Sequence, residues 1–154
     1  MIRDANPSDL PCLAAAMVRL QEAHVQAFPE IYRHFDVDEA AAHLSELLSD
    51  EDAFVRVAEQ GGAIAGHVVL LVKTRPESMF AHEARFGLIA QIEVDPQFRR
   101  QGHGRALLED CERISTVHGL HRILLDVWAF NQTAKSFFQE LGYEEFGTKM
   151  SRSI

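Results

Sequence analysis

From Val94 to Leu108 the chain reads Val-Asp-Pro-Gln-Phe-Arg-Arg-Gln-Gly-His-Gly-Arg-Ala-Leu-Leu. An apolar strand runs into a proline-marked turn, arginines and glycines fill the turn, and an amphipathic helix begins at once. Glycine lets a chain turn sharply without a Cβ in the way, so successive N–H groups can converge on one point. The start of a helix adds unpaired donors and the positive end of its dipole. Arginine supplies charge and forked donors that suit phosphate. The stretch therefore reads as strand, anion-binding loop and helix, with a cradle for a pyrophosphate. The plainer alternative is a glycine-rich turn with solvated arginines.

Three phosphate-loop patterns can be compared with it. The P-loop needs Gly, four residues and then Gly-Lys-Ser/Thr, and no such run occurs. The dinucleotide fingerprint needs Gly-x-Gly-x-x-Gly/Ala near the start of a βαβ unit. Gly102 and Gly104 fit it, but Leu107 takes the third place and the loop lies two-thirds along the chain. The pattern Arg/Gln-x-x-Gly-x-Gly/Ala after a strand is matched throughout by Arg99-Arg100-Gln101-Gly102-His103-Gly104. In this the chain resembles the GNAT superfamily of N-acetyltransferases, which use the loop for the pyrophosphate of acetyl-CoA. A second block strengthens the resemblance. Asn131 follows the strand Leu124–Val127 and opens a helix as a good N-cap. Ala134, the aromatic pair Phe137-Phe138 and then Leu141-Gly142-Tyr143 follow, in the family's order. The likeness covers residues 86–150 well and residues 1–85 in layout only.

The resemblance implies roles. Arg99, Arg100, Gln101, Gly102, His103, Gly104 and Arg105 would surround the pyrophosphate, mostly through backbone N–H groups. Ile92 and Val94 would meet pantetheine through their main chain, as an added strand does. Asn131 would touch the cofactor, Phe137 would be core, and Phe138 would border the thioester end. Many relatives carry Tyr at the position of Phe138, placed to protonate the departing thiolate, which phenylalanine cannot do. The reaction implied is direct attack of an amine on the thioester, and the amine must first lose a proton. Glu93 and Asp126, one on each strand of the splay, are the candidate bases. A strand N–H near Ile92 is the candidate oxyanion donor, and Gln91 could polarise a substrate. His82-Glu83 sits in the loop before the central strand, where an acceptor could bind. His118-Gly119-Leu120-His121 has ligand-like spacing but straddles a helix end without further partners, so no metal site is expected.

At 154 residues the chain is long enough for one domain, 1–154, with its own core. A formal charge of −8 argues against nucleic-acid binding and suits a cationic acceptor. No apolar run approaches a membrane span. Met1–Asp4 lacks a signal-peptide pattern, and Cys12 and Cys111 read as free buried thiols, so a cytoplasmic location is expected. Strands are expected at 1–5, 53–58, 63–73, 86–94, 122–127 and 143–150. Helices are expected after Asn6, after Asp36, over 103–118 and over 131–141. This is the GNAT layout: an α/β (α+β) fold with a mixed, mostly antiparallel sheet of six to seven strands, about four helices and a splayed central strand pair. The expected protein is an acetyl-CoA:amine N-acetyltransferase with a small cationic amine or a peptide N-terminus as acceptor, monomeric or homodimeric. The alternative is an acyl-CoA-binding sensor that keeps the cleft without efficient chemistry.

Overall fold

The computed structural model describes residues 1–154. The strands are β1 (Ile2–Asp4), β2 (Ala53–Gln60), β3 (Ala63–Arg75), β4 (Ala84–Val94) and β5 (Ile123–Leu125); the helices are α1 (Leu10–Ala27), α2 (Val37–Leu48), α3 (His103–Val117) and α4 (Gln132–Glu140). All five strands form one sheet in the order β1-β2-β3-β4-β5. The first four pair antiparallel, and β5 joins β4 in parallel after the chain crosses over through α3.

Local chemistry sets most boundaries. Asp36 and Glu39 form a reciprocal capping box at the start of α2. Glu39 N–H donates to Asp36 Oδ1 at 2.8 Å, and Asp36 N–H donates to Glu39 Oε2 at 3.1 Å. α1 stops at Ala27 because the residue preceding Pro29 is steered away from helical geometry. Gly61 and Gly62 both have positive φ, 60° and 79°. A two-residue hairpin turn that follows the twist of its strands requires this backbone.

Side chains alternate between two apolar layers. Val68, Leu70 and Ile89 face α3, where they meet Leu107, Leu108, Cys111 and Ile114. Val55, Val57 and Val69 face α1 and α2, against Leu13, Ala14, Ala40 and Leu44. Both faces of the sheet are therefore covered, which explains why β3 is apolar almost throughout rather than alternating. Arg56 is the exception on the α3 side. Its buried guanidinium is bonded to Asp110 of α3, Nε to Oδ2 at 2.6 Å, and to Asp4 of β1.

Three expectations are corrected. Residues 143–150 form no strand, so the sheet has five strands rather than six or seven. Their apolar residues are sparse, with Phe146 and Met150 both exposed, and β5 offers a ladder of only three residues to pair with. Side-chain ties hold this segment instead: Lys135 Nζ to Glu145 Oε2 at 2.9 Å, and the Arg122 guanidinium 5.0 Å from the Phe146 ring centroid. β5 is also shorter than the expected 122–127. Finally, Cys111 is buried but Cys12 is exposed, because it lies on the outer side of α1's first turn.

Candidate active site

β4 changes its partners partway along. Gly87, Leu88 and Ile89 pair with Ile123, Leu124 and Leu125, and beyond Ile89 the two strands part. On the other side of β4, the register with β3 steps from Leu70↔Ile89 to Val69↔Gln91, which leaves Ala90 as an extra, exposed residue. A bulge of this kind bends a strand and reverses which residues face each neighbour. Asp95 N–H donates to Ala65 O of β3 at 2.9 Å, so by alternation Glu93 and Gln91 also aim their main chain at β3. The main-chain groups of Ile92 and Val94 therefore face the side that β5 has left. Two of the expected cofactor contacts, Ile92 and Val94, thus lie on an edge inside the sheet that β5 has left, where Val94 O is already held by Arg99 Nε at 3.1 Å.

The chain leaves this edge through a single 3-10 turn, Pro96–Phe98, into the loop. Arg100 and Gly102 both have left-handed backbone, with φ of 63° and 88°. Left-handed residues interleaved with right-handed ones curve successive N–H groups around a common hollow. The backbone amides from Arg100 to Arg105 donate to no group in the protein, and the helical ladder of α3 opens only with Ala106 N–H on Gly102 O at 3.0 Å. A Cβ on Gly102 would meet nothing within 4 Å, so the loop has open space in front of it. Gly104 differs. A Cβ there would lie 3.0 Å from Cζ of Phe137, so this glycine permits close packing of α3 on α4.

Side chains brace the loop. His103 Nε2 is 2.6 Å from Gln60 Oε1, Gln60 Nε2 donates to Gln101 Oε1 at 3.2 Å, and Gln101 Nε2 donates to Gln97 O at 3.2 Å. Arg99 Nε donates to Val94 O at 3.1 Å. Neither Arg100 nor Arg105 has a carboxylate partner, and both are exposed. Three arginines without carboxylate partners and a row of undirected amides make this loop a locally positive spot on an acidic protein, with donors that suit a diphosphate.

Asn131 caps α4, its Oδ1 accepting from Ala134 N–H at 3.1 Å. Phe138 is 7% exposed and belongs to the core, with its ring 5.3 Å from that of Phe137 and 5.7 Å from that of Tyr143. Phe137 packs against both the core and Gly104 at the start of α3. Burial pushes the Tyr143 phenol up to about 12, and its hydroxyl has no partner.

The two candidate bases stand in different surroundings. Asp126 is exposed just past the end of β5 and makes no ion pair. Glu93 is largely enclosed. Burial holds its carboxyl above the ordinary carboxylate range, while the Arg19 guanidinium, 3.2 Å away, pulls the other way. Its second oxygen, Oε2, is buried without a partner. Arg19 also reaches Asp95 Oδ2 at 3.6 Å.

His67 is cross-strand neighbour to Glu93, and sequence reasoning does not single it out as a functional residue. An imidazole inside the apolar run Ala63–Val72 is the available signal, because a buried polar group is the informative exception. Burial drives its ionisation down to about 4, from 6.5, and its Nε2 is unpartnered. Between pH 6.5 and 4 the unfolded chain binds a proton that the folded chain refuses, so stability falls as pH falls. From pH 7 to pH 5 this should remove about 2 kcal/mol. Glu93 acts oppositely, because its raised ionisation favours the folded state as pH falls. Urea melts of His67→Gln should therefore show a flatter acid limb than wild type, and an unchanged limb would contradict the assignment.

His82-Glu83 is not brought to this site. It lies in the β3–β4 connection, just before Ala84 opens β4, and the loop follows the other end of that strand. On the α1/α2 face of the sheet, by contrast, a cavity of about 200 Å³ reaches Ala90 and Gln91 at the bulge.

The model of the Acetyltransferase (GNAT) family matches residues 17–143. The chain belongs to the GNAT acetyltransferase family. It is 29% identical to the ribosomal protein bS18-alanine N-acetyltransferase of Escherichia coli, over 94% of this chain and 80% of that protein. It is 26% identical to an uncharacterized N-acetyltransferase, YhfO, of Bacillus subtilis, over 94% of this chain and 89% of that protein. A crystal structure of a mutant BH1408 protein from Bacillus halodurans superposes with a TM-score of 0.94 at 24% identity, over 100% of this chain and 99% of that one, a likeness of fold. Members of the family generally use acetyl-CoA as cosubstrate, and the splayed β4–β5 pair and the amide-rich loop lie within the matched span. No helix is long and apolar enough to cross a membrane.

Proposed function

We propose that this GNAT acetyltransferase acts in the cytoplasm as an N-acetyltransferase, moving the acetyl group of acetyl-CoA to a primary amine by direct attack in a ternary complex. The observation that carries this reading is the unbroken run of undirected amides from Arg100 to Arg105 beside the free edge of Ile92 and Val94. The loop amides, with Arg100 and Arg105, would hold the diphosphate. Ile92 and Val94 would pair with pantetheine amides as a strand does. Bound acetyl-CoA supplies an acetyl group already activated as a thioester. Gln101, His103 and Arg99 hold the loop through their own side-chain bonds. Asn131 fixes α4 and keeps its amide NH₂ free for the cofactor, and Phe138 closes the floor of the cleft with its ring edge. The amide of Ile92, on the open edge, is the donor available to the thioester oxygen. Glu93 takes the proton from the attacking amine: its raised ionisation makes it a better proton acceptor than an ordinary carboxylate. Asp126, exposed at the mouth, would attract a cationic amine. The acceptor is a small amine or a peptide N-terminus; the relative named for the alanine of ribosomal protein bS18 supports the second.

One observation favours a second reading, an acyl-CoA sensor. By the family resemblance Phe138 takes the position of a tyrosine that would protonate the leaving thiolate, and the Tyr143 hydroxyl is sealed in the core. Turnover separates the two. Coenzyme A titrated by calorimetry should saturate, and thiol release from acetyl-CoA should accelerate with at least one amine. Saturation without release for any acceptor would favour the sensor. Gly102→Val places an L side chain at φ 88° and fills the space before the amides. Affinity for coenzyme A should then fall about tenfold or more.

A further inference from the structure

We infer that the acceptor is an amine carried on an apolar and otherwise uncharged group, seated in the cavity behind the β4 bulge. This rests on the acetyltransferase reading above and specifies what its acceptor must look like.

The cavity, about 200 Å³, is bounded by Met17 and Leu20 of α1, Leu47 of α2, Phe35, and Val69 and Leu71 of β3. Its polar lining consists of two amides, Gln21 and Gln91, and two imidazoles, His24 and His43. No aspartate, glutamate, lysine or arginine borders it. A second ammonium, a phosphate or a polyhydroxylated ring placed there would lose water without finding enough partners. An aliphatic branch or a single aromatic ring would lose nothing polar and would gain the burial of its surface.

The wall extends in the same character. The His24 ring lies 5.2 Å from that of Tyr32, Tyr32 lies 5.5 Å edge-on from Trp128, and Trp128 lies 4.8 Å from Phe28. This stack carries an aromatic surface from the cavity to the segment following β5. Ala90 and Gln91 are the two β4 residues in its lining, and Gln91 lies two residues before Glu93 on that strand, so this end of the cavity is the one nearest in sequence to Glu93. A ligand with its apolar body inside therefore presents its nitrogen at the bulge. There the amine nitrogen forms a bond to the acetyl carbon, the carbon–sulfur bond breaks with its electron pair left on the coenzyme sulfur, and the amine proton passes to Glu93. The net charge of −8 draws amines in general, but this local lining selects among them.

Binding and turnover test this separately. Phenethylamine, putrescine and glucosamine are titrated into coenzyme A-loaded protein by calorimetry, and the same amines are assayed for thiol release from acetyl-CoA. Phenethylamine should bind at least about tenfold more tightly than either other amine. Met17→Phe, which fills the cavity, should weaken phenethylamine about tenfold and leave coenzyme A affinity unchanged. Leu47→Asp should narrow the preference over putrescine. Equal or tighter binding of putrescine or glucosamine, no binding of phenethylamine, or Met17→Phe indistinguishable from wild type would each overturn the inference. Phenethylamine bound but not acetylated while another amine is acetylated would also overturn the inference, whereas thiol release for no amine at all would sink the transferase reading and leave only the cavity's selectivity in place.

Discussion

Glu93→Gln should lower kcat by about 10²–10⁴-fold, the contribution of a positioned general base, while leaving coenzyme A affinity where it was. The amide keeps the shape and the hydrogen bond to Arg19, so the change isolates the proton acceptor. The pH profile carries the sharper signature. A base works ionised, so the wild-type rate should rise with pH through the ionisation of Glu93. Burial raises that ionisation and Arg19 lowers it, with burial the larger cause. The rising limb should therefore sit above the ordinary carboxylate range. Arg19→Met, which removes the opposing charge, should move the limb to still higher pH. Glu93→Gln should abolish the limb. Asp126→Asn is the comparison: its carboxylate is exposed and unpaired, and its loss should affect acceptor KM more than kcat. If Asp126→Asn, and not Glu93→Gln, removes the limb, the roles are reversed.

The contrast between those two carboxylates cannot be read from the chain. Both are legible as acids on either side of the splay, because the two motif blocks place them there. What separates them is enclosure by α1, which is tied to Glu93 across 74 positions by Arg19, and no local pattern announces that pairing. His67 is similar. It reads as one polar residue in an apolar strand, and its depressed ionisation arises only when α1 covers that face of the sheet. The loop is legible as a candidate anion site because its parts are neighbours in sequence: glycines, arginines and a helix start. Caps and turns are legible for the same reason, as at Asp36 and at Gly61-Gly62. The bulge at Ala90 is not, since it comes from how β3 and β4 match lengths. The misread strand at 143–150 shows the converse. Its sequence tolerates an extended chain, but a strand exists only if an edge is there to pair with, and β5 supplies three residues.

Gly66→Val should cost about 3 kcal/mol or more of folding stability, the largest loss expected from adding a side chain to any glycine here. Gly66 of β3 pairs with Val94 of β4. A Cβ at Gly66 would lie 2.6 Å from the Glu93 carbonyl oxygen and 3.1 Å from the Val94 Cα. Both are backbone atoms, so no rotamer change relieves the clash and the strands must separate. Overpacking of a close-packed interior costs about 1–3 kcal/mol per site and more when the backbone has to move. Valine adds two methyl groups beyond that first carbon, so it should exceed Gly66→Ala. Gly147→Val is the control. Its surroundings are open and its φ is not left-handed, so it should stay within about 0.5 kcal/mol of wild type. Urea denaturation at neutral pH measures all three. The consequence for the site is direct, because the displaced atoms belong to Glu93 and Val94. Any folded fraction of Gly66→Val should bind coenzyme A more weakly than wild type, since the free edge at Val94 shifts with its strand. A Gly66→Val protein as stable as Gly147→Val would show that β3 and β4 do not meet this closely, and the placement of Glu93 beside His67 would lose its support.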